Sequence, residues 1–248
     1  MSSTEKVVAL LKILGTEPYV FGVTELGERI GCGKSGVFKL LNVLAQAGLV
    51  SLTPEHKYTL GISIYLLGKR YEENVGIVRS VRPYMVRLRE LTGETVTFGM
   101  LVNGRPTSVC REEGTNLVRV MGHVGNERPV YAGGIGMLLA AYMDEGEVRR
   151  ILMEEPPRPY TENTITDPYE VLEELKKIRA QGYTVREGDF DLDTVTLGAP
   201  LLDESGNAWA ALVMSAPRSR VDQVVRDRYL FQVRETAAQM SRELGFAP

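Results

Sequence analysis

The run Gly31-Cys32-Gly33-Lys34-Ser35 ends in the Gly-Lys-Ser triplet that closes a phosphate-binding loop, so nucleotide binding is the first chemistry to test. A Walker A loop has the spacing G-x-x-x-x-G-K-[ST], because its first glycine opens the turn whose amides wrap the phosphates. Counted back from Gly33, that position holds Glu28, a carboxylate where phosphate would approach. Such a loop also follows a buried strand. Here the segment from Thr24 to Ile30 spaces Leu26 and Ile30 four apart, with Thr24 as a helix N-cap. The pattern predicts helix, glycine-bearing turn, helix. From Lys34 to Gln46, Val37, Leu40, Leu41 and Leu44 form one apolar stripe, and Gly48 ends the helix. The opposite face carries Ser35, Lys39, Asn42 and Gln46, with Lys34 and Phe38 at its margins. Small, basic and amide side chains of this kind contact phosphates and base edges in a major groove. An ordinary solvated helix face would have the same composition, so the flanking segments must decide.

Two further stretches could carry chemistry. Gly133-Gly134-Ile135-Gly136 precedes the apolar run Met137-Leu138-Leu139-Ala140-Ala141, which presents backbone amides at a helix N-terminus, where an anion is favoured. The same glycines would also permit close helix-to-sheet packing. Glu187 to Asp193 contains a D-x-D-x-D spacing, but Thr194 stands where a calcium loop needs glycine and Pro200 where it needs a bidentate glutamate. A solvated acidic loop is the expectation there. Two distant cysteines, Cys32 and Cys110, and only two histidines argue against a zinc site or a disulfide framework. The chain has no HExxH motif, no nucleophile–base pair is evident, and no cofactor is expected.

The elements that must position these residues follow from periodicity. Val7, Leu10, Leu11 and Leu14 share a helical face, so three short helices precede residue 48. Leu49–Leu52 and Lys57–Leu60 then form two strands around a Thr53–His56 turn. Three helices and a hairpin make a winged helix-turn-helix over residues 1–60. Residues 61–80 are expected to form a linker helix region and 81–248 a larger domain. In that domain a helix around Met85, Leu88 and Leu91 leads to strands at Thr95–Leu101, Thr107–Arg111 and Leu117–Met121. Helices at Ile135–Met143, Gly146–Met153 and Pro168–Gln181 come next, followed by strands at Thr184–Arg186, Val195–Leu202 and Trp209–Ser215 and a closing helix at Val221–Leu244. The class is α+β with a mostly antiparallel sheet. With 44% hydrophobic residues, 248 positions suffice for real cores. No apolar stretch reaches the roughly 18 residues of a membrane span, and no signal peptide is visible, so a cytoplasmic protein without membrane contact is expected. The net charge of −3 divides into one net positive charge over residues 1–60 and four net negative over the rest, which permits a nucleic-acid role without establishing it.

Taken together, these segments resemble the IclR family of bacterial transcription regulators from about Lys6 to Leu244. The similarity is carried by "VTELGERIGCGKSGVFKLLNVLAQAGLV", "YTLG", "RPYMVRLRELTGETV", "TITDPYEVLEELKKIRAQGY", "LGAPLLDESGNAWAALVMSAP" and the glycine loop. The resemblance implies a winged helix on double-stranded operator DNA, a linker helix and a GAF-like effector domain, assembled as a homodimer or tetramer. It implies DNA contacts from Lys34, Ser35, Phe38 and Lys39, and Thr24, Asn42 and Lys57 complete the expected DNA-facing set. Gly36 and Phe38 depart from the residues relatives often carry, which bears on the operator sequence. The family's effector pocket maps to Leu117, Val120, Gly134, Ile135, Thr194, Thr196, Val213 and Ser215. The amides of Gly134 and Ile135 and the Ser215 hydroxyl would hold the carboxylate of a small organic acid, while Leu117, Val120 and Val213 pack its apolar body. Arg186 either accepts a second anionic group or forms a surface salt bridge. The alternatives are an enzyme acting on a small acid in the same pocket and a structural module without ligand.

Overall fold

The computed structural model describes residues 1–74 and 76–244. The chain divides into two compact units, Met1–Gly76 and Ile77–Pro248. The 61–80 region is shared between them, with α4 (Ile62–Asn74) in the first and α5 (Ile77–Thr92) opening the second.

In the first unit α1 (Ser3–Leu14), α2 (Val23–Arg29) and α3 (Lys34–Gln46) precede the hairpin of β1 (Val50–Leu52) and β2 (Tyr58–Leu60). The apolar stripes converge as the spacing requires: Leu10, Leu14, Leu26, Val37 and Leu41 are buried together around Phe21. Phe21 also exchanges backbone hydrogen bonds with Tyr58 at 2.9 and 2.8 Å, adding a rung to the hairpin. Thr24 does not cap α2. Gly22 occupies the N-cap without a side-chain bond, and Thr24 is exposed in the first turn. The element before Gly33 is a helix and not the strand that a P-loop follows.

In the second unit β3 (Thr95–Val102), β4 (Arg105–Glu112), β5 (Thr184–Glu187), β6 (Thr194–Leu202) and β7 (Ala208–Pro217) form one antiparallel sheet in the order β4-β3-β7-β6-β5. Alternation along the strands gives each face its own core. Val195, Leu197, Leu201, Leu212 and Met214 pack with Met85 and Leu88 of α5 and with Tyr229, Val233 and Met240 of α9 (Gln223–Leu244). Ala211 and Val213 face the other way, toward α6 (Gly134–Ala140), α7 (Glu145–Glu154) and α8 (Pro168–Gln181). This is the α+β architecture expected from the element order.

Two further expectations fail for physical reasons. Leu117–Met121 is not a strand, because its carbonyls are taken by side chains. Val120 O accepts from the Thr95 hydroxyl at 2.9 Å and from Arg111 Nη2, and Val118 O accepts from Arg220 at 2.7 Å. The free edge of β4 is occupied instead by residues 125–128, through Gly125 N to Ser108 O at 2.7 Å and Arg128 N to Pro106 O at 2.7 Å. The Glu187–Asp193 segment is not uniformly solvated either. Asp191 and Asp193 are exposed, but Asp189 is 4% exposed and ion-paired to Arg186.

Phe98 is fully buried, with its ring centroid 5.9 Å from that of Trp209, the single tryptophan. Phe98→Ala should lower the stability of the second unit by about 3–5 kcal/mol, measured by urea unfolding followed through Trp209 fluorescence. A loss under about 1 kcal/mol would contradict this account of the core.

Candidate functional site

On α3 the buried stripe turns the polar face outward, and Lys34, Ser35, Phe38, Lys39 and Asn42 are all exposed, as are Thr24 on α2 and Lys57 just before β2. Phe38 is 49% exposed, a large apolar ring kept in water beside these polar side chains. Arg29 is held by Glu25 at 3.0 Å, while Lys34 and Lys39 have no carboxylate within 4.0 Å among the described residues. Gly33 caps α3 without a side-chain bond, and among the described residues the amides of Lys34 and Ser35 have no protein acceptor. Unpaired lysines beside an uncapped helix N-terminus form a cationic edge suited to phosphate oxygens.

In the second unit the sheet face beneath α6 carries a polar row. Pairing sets Thr95 opposite Ser215 and Ser215 opposite Thr196, and Thr97 stands one step along opposite Val213. Thr196 Oγ1 and Ser215 Oγ are 3.2 Å apart. One hydroxyl hydrogen is used between them, and the other finds no acceptor among the described residues. The N-terminus of α6 lies directly above. A Cβ on Gly134 would collide with the Thr196 methyl, and one on Gly136 with the Pro129 carbonyl oxygen. The close helix-to-sheet packing expected of the glycines is therefore present. Asp189 fixes the entry to the helix, its Oδ2 accepting from Gly133 N at 3.0 Å and from Arg186 Nε at 2.8 Å. Arg186 also binds Glu174 at 3.0 Å, so its salt bridge is buried and its charge committed.

A cavity of about 440 Å³ opens between this row and α6. Its walls include Val120, Gly134, Ile135, Thr194, Thr196, Val213 and Ser215, which the structure brings together. Leu117 is not among them and is 94% exposed. Sequence reasoning missed two cations in the same wall, Arg111 and Arg128. Burial holds both guanidinium groups below their ordinary range. For Arg111 nearby Glu113 opposes this, and Arg128 and Arg119 add to it. The available signal was parity: Cys110 is buried on the α5 side, so Arg111 must face α6.

An exposed cationic reading helix with its wing, and a cavity of oxygen and nitrogen donors in a separate α+β unit, define a DNA-binding regulator with a ligand-sensing domain. The chain belongs to the IclR family of bacterial transcriptional regulators: residues 3–54 match the IclR helix-turn-helix domain and residues 69–242 the IclR C-terminal domain. It is 30% identical over 247 residues to the HTH-type transcriptional regulator KdgR of Escherichia coli (strain K12), covering 99% of this chain and 94% of that protein. It is 28% identical to the HTH-type transcriptional repressor AllR of Salmonella typhi, covering 98% and 90%. Among solved structures, an IclR regulator from Alicyclobacillus acidocaldarius superposes with a TM-score of 0.86 at 26% identity, covering 97% of both chains. An IclR homologue from Microbacterium hydrocarbonoxydans, complexed with 4-hydroxybenzoate, gives 0.83 at 20% identity, covering 98% and 99%. Among the described residues no helix is long and apolar enough to cross a membrane.

Arg186→Ala should destabilise the protein by about 3–5 kcal/mol, because it leaves the Asp189 carboxylate buried without its cation. Guanidinium unfolding measures this, and a loss under about 1 kcal/mol would mean that the pair does not hold the α6 entry.

Proposed function

We propose that α3 and the hairpin read double-stranded operator DNA, and that the cavity binds a small organic acid which alters operator binding or activation. The observation carrying the second half is the cavity itself. Uncapped α6 amides, a spare hydroxyl hydrogen on the Thr196–Ser215 pair and two desolvated arginines meet there, and the apolar walls Ile135 and Val213 can pack a hydrocarbon body. A neighbour of the same fold binds 4-hydroxybenzoate, itself a carboxylic acid, which supports the class. Ser215 and Thr196 bond each other, and neither is hydrogen-bonded to a base among the described residues, which favours a sensor over an enzyme. Self-association is part of the proposal. α4 has no buried residue and exposes Ile62, Tyr65 and Leu66 at i, i+3 and i+4, an apolar face that a second copy would cover, and a two-fold dimer matches a palindromic operator.

Lys39→Ala should weaken operator binding and reduce the salt dependence by about one unit of slope, since a protein that neutralises one phosphate fewer releases one counterion fewer. Fluorescence anisotropy over a salt series tests this, and an unchanged slope and affinity would remove Lys39 from the phosphate-binding set. Ser215→Ala should weaken acid binding by roughly tenfold to a hundredfold, one hydrogen bond to a charged group, and leave DNA affinity without acid unchanged. Equal acid affinity in both proteins by titration calorimetry would sink that assignment.

A further inference from the structure

Arg111 and Arg128 converge on one point of the cavity wall. A Cβ built on Gly122 would stand within 3.6 Å of both Arg111 Nη1 and Arg128 Nη2. Only a residue without a side chain leaves that space open. Two like charges so placed repel each other, and both have lost part of their hydration. Yet among the described residues neither has a carboxylate within 4.0 Å. Glu113, the acid whose charge reaches Arg111, is paired with Arg119 at 3.1 Å. Asp191, which also lines the cavity, is exposed and accepts from Asp193 N at 3.0 Å. The arginines spend part of their donor capacity on neutral oxygens, Arg111 on the Val120 carbonyl and Arg128 Nε on Ser108 Oγ at 3.1 Å. Arg111 Nε is buried with no hydrogen-bond partner among the described residues.

We infer that the ligand of this cavity is dianionic, with one acidic group clamped between Arg111 and Arg128 and the other at the Thr196–Ser215 hydroxyls. This rests on reading the cavity as the effector site. The charge count sets the class: two desolvated cations with no carboxylate within 4.0 Å among the described residues favour two negative charges on the ligand over one. Guanidinium forks accept a carboxylate or a phosphate through paired N–H bonds, so dicarboxylates and phosphate-bearing acids share the required chemistry.

The test uses the full chain and three probes: inorganic phosphate, the best-bound of malonate, succinate and glutarate, and that diacid's monomethyl ester. Binding is read by calorimetry on the wild type, Arg111→Gln, Arg128→Gln, Arg111→Lys and Ser215→Ala, each checked for native Trp209 fluorescence. The wild type should bind phosphate and prefer the diacid over its ester by at least about tenfold. Arg111→Gln and Arg128→Gln should each weaken phosphate and diacid at least about tenfold, with partial retention in Arg111→Lys and phosphate binding unchanged in Ser215→Ala. A phosphate affinity unaffected by either glutamine variant, or no phosphate binding at about 20 mM, overturns the clamp. An ester bound as tightly as the diacid overturns the dianionic class. If phosphate behaves as expected while Ser215→Ala leaves diacid binding intact, the hydroxyl seat of the proposed function fails and the clamp stands. Diacid and phosphate affinities ranked against each other separate the two sources.

Discussion

The close approach of the α6 backbone to the sheet is the constraint on which the second unit depends. Gly134 lies against the Thr196 methyl and Val213, Gly136 against the Pro129 carbonyl, and on β3 a Cβ at Gly99 would stand 2.6 Å from Ile135 Cγ2. Any side chain at these positions would lift the helix and separate its amides from the hydroxyl row. Glycine inside a helix costs about 1 kcal/mol relative to alanine. That cost is offset by the burial of Met137, Leu138 and Leu139 in the core shared with α7 and α8. Asp189 completes the arrangement by tying the residue before the helix to Arg186 on β5, so the N-terminus of α6 is fixed from two directions.

The two units use positive charge in different physical regimes. Lys34 and Lys39 stand in water on α3, where a cation costs little to hold and is free to meet a polyanion by releasing its counterions. Arg111 and Arg128 are half-buried in a cavity wall, where desolvation makes an uncompensated charge expensive. The first arrangement suits an extended polyanion and the second a small anion that can enter. This division is why the Gly-Lys-Ser triplet, which has the composition of a nucleotide loop, belongs to a helix-turn-helix: Glu28 sits on α2, a helix, and the amides of α3 open outward from a bare glycine cap.

What could be read from the sequence was what local periodicity and caps determine. α3 and α8 span the expected residues, because their stripes are regular and their ends carry Gly48 and the Asp167–Pro168 start and Gly182 stop. The sheet-face row was legible only through family resemblance, since register between β3, β6 and β7 is a long-range property. Three features were not legible. Leu117–Met121 has strand composition, but Arg111, Thr95 and Arg220 compete for its carbonyls. Asp189 sits in an acidic run yet is buried, because Arg186 three residues earlier reaches it. The convergence of Arg111 and Arg128 depends on how residues 118–128 fold back along β4, which no spacing encodes.

The central claim is that acid binding in the cavity and DNA binding by α3 are one linked equilibrium. It is tested most directly by measuring both affinities of the same protein, using the acid that raises its melting temperature most in a screen. DNA affinity is determined with and without saturating acid, and acid affinity with and without saturating DNA. The account predicts that both change by the same factor, about fivefold or more, because a coupling free energy is reciprocal. Acid that binds equally well to the free and DNA-bound protein would contradict it.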